Sequence, residues 1–150
     1  MTRIFRTTLL AGALSLAAAA ATAAEPPLAI AADDKALAWG GCPPIFPSGC
    51  QIAVLHGDPA RPNADVFLRV PGGQALPAHS HTSAERMVLV SGRLRVKHQG
   101  APATVLTPGM YAYGPAGRPH EAACQGEAPC TLFIAFEGPV DAHPAPAALD

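Results

Sequence analysis

Glycine and proline punctuate this chain too closely for long helices. The clusters Gly57-Asp58-Pro59, Pro71-Gly72-Gly73, Pro108-Gly109 and Pro115-Ala116-Gly117-Arg118-Pro119 all read as turns. Between them lie short runs with strand character: 51–55, 64–70, 85–91, 93–98, 104–106, 110–113 and 131–136. In the run 64–70, Val66, Leu68 and Val70 share one face, and Asp65, Phe67 and Arg69 share the other. The run 93–98 alternates in the same way, with Leu94, Val96 and His98 opposed to a basic face of Arg93, Arg95 and Lys97. The run 85–91 is apolar on both faces, which predicts a strand between two layers. About eight such strands with no long helix predict an all-β barrel or sandwich.

The two ends are different in kind. Arg3 and Arg6 precede an uncharged run from Leu9 to Ala21, and small residues follow at Ala21-Thr22-Ala23-Ala24. That is the layout of a cleavable secretory signal, predicted over 1–24, and the run is too short and alanine-rich for a stable membrane anchor. The mature chain, 25–150, then carries 8 basic residues against 11 acidic ones. A near-balanced charge with no basic or acidic block excludes nucleic acid as a partner class. Residues 25–49 read as an N-terminal extension with a proline-stiffened loop, in which 35–39 is either a helical turn or an edge strand and Trp39 a core or barrel-end plug. Residues 138–150 are Ala/Pro-rich and read as a loose tail.

Export changes the meaning of the four cysteines. In an oxidising compartment, periplasmic or extracellular, an even count implies disulfides. Cys42–Cys50 and Cys124–Cys130 are the expected pairs, since each brackets a short Pro/Gly loop, the second read as a hairpin stapled at its base. The alternative is a thiolate metal site.

The chemistry concentrates between Gly73 and Gly92. His79 and His81 stand two apart, so in an extended strand both imidazoles aim at one point. A bend at Thr82-Ser83-Ala84 would bring the Glu85 carboxylate to join them. Two imidazoles and a carboxylate suit a divalent first-row metal, Fe, Mn, Ni, Cu or Zn. His120, delivered by the 115–119 turn cluster, is the candidate for the next ligand. His56 and His98 fall at strand ends, where facing solvent and supporting the site from behind a ligand are both open, the first favoured, and His143 lies in the tail without an assigned role. Tyr111, Tyr113, Met87 and Phe67 are candidates for lining the barrel, with ordinary packing the favoured role.

Taken in order, these residues resemble the two motifs of the cupin superfamily. Gly73-x5-His79-x-His81-x3-Glu85-x6-Gly92 matches the first motif at every fixed position. Gly109-x5-Pro115-x-Gly117-x2-His120 matches the second at four of five positions, Cys124 standing where Asn is usual. The resemblance covers 50–137 and implies a cupin-type β-barrel (a double-stranded β-helix or jelly roll). It implies a metal at one end held by His79, His81, Glu85 and His120, and a small molecule as ligand or substrate. A homodimer through an outer sheet face is compatible with it.

Three functional readings follow. The first is a metal-dependent oxygenase or isomerase acting on a small oxygenated molecule, with Glu85 as ligand or base. The second is a non-enzymatic binding or sensing module using the same pocket. The third is a structural barrel whose metal only stiffens it. A complete ligand set favours metal binding, and fold alone does not choose among the three.

Overall fold

The computed structural model describes residues 25–147 and 149, so the signal predicted over 1–24 lies outside the described residues. Eleven strands appear: β1 (Trp39–Gly41), β2 (Gln51–His56), β3 (Ala64–Val70), β4 (Ala75–Ser80), β5 (Glu85–Ser91), β6 (Leu94–His98), β7 (Thr104–Leu106), β8 (Tyr111–Gly114), β9 (His120–Cys124), β10 (Cys130–Phe136) and β11 (His143–Pro144). They form a six-stranded sheet in the order β1-β2-β3-β10-β5-β8 and a five-stranded sheet in the order β11-β4-β9-β6-β7. Every pairing is antiparallel. Among the described residues there is no helix.

The core lies between the two inner faces. Val66, Val70, Leu89, Leu94 and Leu132 are almost wholly removed from water. Each such side chain contributes roughly 1.5–3 kcal/mol of transfer free energy. The alternation predicted for β3 and β6 is the one observed. In β5 it is sharper than predicted: Glu85, Met87 and Leu89 are buried while Val88 is half-buried and Val90 is 40% exposed. Only one face of this strand meets the other sheet, so the double-sided burial expected from its composition is not found.

Both cysteine pairs are disulfides. Cys42–Cys50 closes the β1–β2 connection beside the pairing of Gly41 with Gln51. Cys124–Cys130 does not staple a hairpin. Strand β9 belongs to the five-stranded sheet and β10 to the six-stranded one, so this bridge ties the two sheets together where the chain passes between them. Gly92 makes room for it: a Cβ there would lie 2.8 Å from the Cys130 Cα, and its φ of +89° suits glycine. Two disulfides fit a protein that matures in an oxidising compartment. No helix among the described residues is long and apolar enough to cross a membrane.

Two terminal expectations change. Residues 35–38 form no strand, and Trp39 is half-buried on edge strand β1, with the Arg69 guanidinium 4.0 Å from its ring centroid. Residues 138–145 are not loose. The Gly138 amide donates to Ser83 Oγ (2.7 Å), Val140 N to Pro59 O (2.8 Å) and Ala145 N to Ala78 O (3.0 Å). His143 and Pro144 pair with Ser80 and His79 as strand β11. An Ala/Pro-rich segment has no hydrophobic period to announce such docking; main-chain hydrogen bonds hold it instead.

Candidate metal centre

Three strands converge at one end of the barrel. His79 lies near the end of β4 and His81 just beyond it; Glu85 opens β5 and His120 opens β9. His79 pairs directly with His120 across the β4–β9 ladder. The register of that ladder shifts between Leu76 and His79, where Pro77 sits in the irregular segment. A bulge tolerates a residue without an N–H and re-aims the side chains after it. The bend at 82–84 then turns the chain so that Glu85 enters the same space. It is braced by Ser83 Oγ, which donates to Ala84 O (2.6 Å) and accepts from the Gly138 amide. The second turn cluster braces the first motif, since the Gly117 amide donates to His81 O (2.8 Å).

His79, His81, Glu85 and His120 are all buried. One ring nitrogen from each of His79, His81 and His120 lies within 4.8 Å of the others. The other nitrogen of each ring is held by the main chain. His79 Nδ1 lies 2.7 Å from Pro77 O, His120 Nδ1 3.3 Å from Arg118 O, and His81 Nδ1 bonds Asp141 O. A carbonyl only accepts, so each Nδ1 carries the hydrogen. Burial holds all three imidazoles below their usual pKa, His79 to about 4 and His120 to about 3. They are therefore neutral at pH 7, and each keeps an Nε2 lone pair for the shared space.

Glu85 completes one side. Its Oε1 lies 3.2 Å from His120 Nε2, and its Oε2 lies 3.6 Å from His81 Nε2. These are ion-pair distances, but the pair is not ionic: burial pushes the Glu85 carboxyl up to about 8 while the imidazoles stay neutral. Oε1 is buried and accepts no hydrogen bond. A divalent cation would satisfy that orphaned oxygen and restore the carboxylate, so this donor set fits a transition metal. Gly114, opposite Glu85 in the β5–β8 ladder, is the residue that accommodates the carboxyl group: a Cβ there would fall 2.7 Å from Oε1.

Around the donors lies a cavity of about 50 Å³. Met87 is on its wall, as are Val66 and Leu68. Phe67 is not; it packs on the outer face, edge-on to Phe133 at 6.4 Å. Tyr111 and Tyr113 are 58% and 49% exposed on edge strand β8 and do not line the barrel. Part of the half-buried wall comes from two segments outside the 50–137 range. Pro43 and Phe46 come from the Cys42–Cys50 loop, and Val140, Asp141 and Ala142 from the C-terminal segment. Phe46 meets the His79 ring edge-on at 4.7 Å.

Two other histidines also differ from expectation. His98 is half-buried, its ring 5.1 Å from that of His120, and its Nε2 is buried without a partner. His143 Nε2 lies 3.2 Å from Asp141 Oδ2. Asp141 Oδ1 accepts from the Thr82 amide at 2.9 Å, and Oδ2 accepts from Thr82 Oγ1. Nothing local in the sequence signals these contacts, which depend on the C-terminal segment folding back.

The model of the ChrR cupin-like domain matches residues 29–141. No functionally curated protein sequence matches the chain significantly. Among solved structures, a chain from the study of the DMSP lyases RdDddP and RnDddQII superposes with a TM-score of 0.64 at 20% identity, over 73% of this chain and 63% of that one. The DMSP lyase DddQ from Ruegeria pomeroyi gives 0.63 at 18% identity, over 76% and 64%. KdgF from Halomonas sp. gives 0.55 at 19% identity, over 67% and 87%. The chain spans just under two thirds of the length of the lyase chains it matches. At these identities the likeness is one of fold, a double-stranded β-helix.

Proposed function

The chain belongs to the ChrR cupin-like family, and from that premise we propose an exported cupin that holds one divalent transition metal on His79, His81, Glu85 and His120. One observation carries this reading: each of the three imidazoles has its Nδ1 hydrogen committed to a carbonyl, which leaves three Nε2 lone pairs facing one buried space. Orienting ligand histidines through their second nitrogen is the usual construction of a metal site.

A metal held by these residues would supply Lewis acidity, which suits oxygenation or isomerisation of a small oxygenated molecule. The protein's own part is threefold. The histidines orient the centre, the apolar wall excludes water, and Glu85 holds or releases a proton. A carboxyl pushed up to about 8 exchanges its proton near neutrality, which suits a general acid or base when it is not a ligand. The DMSP lyases among the structural neighbours support the barrel, not their substrate.

A second reading, a binding or sensing module without turnover, is favoured by the small cavity and by a wall on which, among the described residues, Asp141 is the only titratable side chain outside the donor set. Export is supported by the charge and apolar pattern of 1–24 together with two disulfides.

The test is metal content of protein expressed as the full chain and purified without chelator or affinity tag. About one Fe, Mn, Ni, Cu or Zn per chain is expected. The double variant His79→Ala/His81→Ala should stay folded and lose the metal; full retention by that variant would overturn the site. Turnover of small oxygenated compounds by the loaded protein, followed by O₂ uptake and product analysis, separates the enzyme from the sensor.

A further inference from the structure

Beyond its donors, the cavity is walled with carbon. Ile52, Val66, Leu68, Met87, Leu132 and Ile134 form much of that wall. Among the described residues Asp141 is the one further titratable side chain on it, and its carboxylate is already engaged by Thr82 and His143. The wall therefore offers no free cation, carboxylate or amide to a ligand's far end. The space is also small. Its volume is about 50 Å³.

We infer that the ligand of this centre is a small monofunctional molecule, with one oxygen-donor head at the metal and an uncharged aliphatic body. The inference rests on the metal reading above and narrows it from any small oxygenated molecule to this class. A second charge or strong hydrogen-bonding group on the body would leave its water behind and meet no partner. A methyl group at the same place loses nothing and fills apolar space.

The experiment uses cobalt(II)-loaded full-length protein titrated at neutral pH with butyrate and with β-alanine. The two have the same number of heavy atoms and the same carboxylate head, and differ only in a terminal methyl against a terminal ammonium. Visible absorption of the cobalt reports binding at the metal. Butyrate is expected to bind at least about tenfold more tightly than β-alanine, since the ammonium would be buried unpaired. Val140→Asp adds a carboxylate to the half-buried part of the wall and is expected to narrow or reverse that preference. Equal or tighter binding of β-alanine by the unmodified protein would overturn the inference, as would a cobalt spectrum that neither compound changes. Protein that takes up no cobalt would refute the metal reading itself, an outcome distinct from both.

Discussion

The main-chain carbonyl of Asp141 holds the Nδ1 hydrogen of His81, across a separation of 60 residues. The C-terminal segment thus reaches the candidate centre and fixes the tautomer of one of its histidines. The Asp141 side chain anchors this contact by accepting twice from Thr82, the residue after His81.

Asp141→Ala removes that anchor without touching a ligand. The barrel should remain folded, and metal affinity should fall by about 10–100-fold, the usual effect of losing an outer partner of a ligating histidine. Asp141→Asn keeps one acceptor oxygen and should restore part of the loss. Competition against a chromophoric chelator measures both; unchanged affinity in the alanine variant would mean that the segment holds His81 without this carboxylate.

Gly114 gives a second prediction. Its hydrogen faces Glu85, and a methyl would lie 2.7 Å from Oε1 and 2.8 Å from Cγ. Gly114→Ala should displace the carboxylate and weaken metal binding by at least about tenfold, with a smaller effect on stability than on affinity, because the crowded atoms belong to one side chain rather than to the backbone. Equal losses in both would mean that the strand, not the carboxylate, had moved.

The sequence made the strand pattern and part of the centre legible for definite reasons. A spacing of two puts His79 and His81 on one face of a strand wherever that strand lies. The bend at 82–84 is likewise local. His120 was different: the turn cluster before it made it a candidate, but its approach to His79 depends on the pairing of β4 with β9, and the family motif was needed to place it in the set. Gly114 escaped notice because its role exists only opposite Glu85. The docked segment 138–145 escaped because most of its hydrogen bonds use its main-chain groups, which leave no trace in composition, and the Asp141 contacts form only once it has folded back. Tyr111 and Tyr113 looked like barrel residues by type, but the alternation of β8 gives its inner face to Ala112 and Gly114 and turns the tyrosines outward.

The third prediction concerns pH. Burial raises Glu85 from 4.5 to about 8 in the metal-free protein. The folded chain keeps this proton over a range where the unfolded chain has released it. Its contribution to stability is therefore present below pH 4.5 and lost as pH rises through about 8. The histidines act oppositely: their lowered values favour the folded state above 6.5 and cost stability as pH falls towards about 4 for His79 and about 3 for His120. Glu85→Gln removes the first effect alone. With a chelator present, the variant should gain on the wild type by a few kcal/mol, roughly, between about pH 5 and pH 8.5. With metal present the order should invert, because the wild type binds the ion more tightly and is stabilised by it. Guanidinium unfolding under the two conditions checks both halves.

The last prediction joins the disulfide loop to the centre. The Cys42–Cys50 bridge closes a short loop, and Phe46 in that loop meets the His79 ring edge-on at 4.7 Å and lines the cavity. The loop-entropy model assigns such a bridge about 2.5 kcal/mol. Cys42→Ser/Cys50→Ser should lower stability by about that amount and leave both sheets intact, because β1–β2 pairing and the Cys124–Cys130 bridge remain. Freed from its bridge, the loop holds Phe46 less tightly over His79, so exchange of the bound metal with free chelator should quicken by about tenfold or more while the equilibrium ligand set stays the same. Phe46→Ala in the oxidised protein should reproduce the faster exchange at smaller cost in stability. If the serine pair lost stability without faster exchange, the loop would be a staple only. Faster exchange in both variants would identify Phe46 as the cover over His79, with the bridge holding it in place.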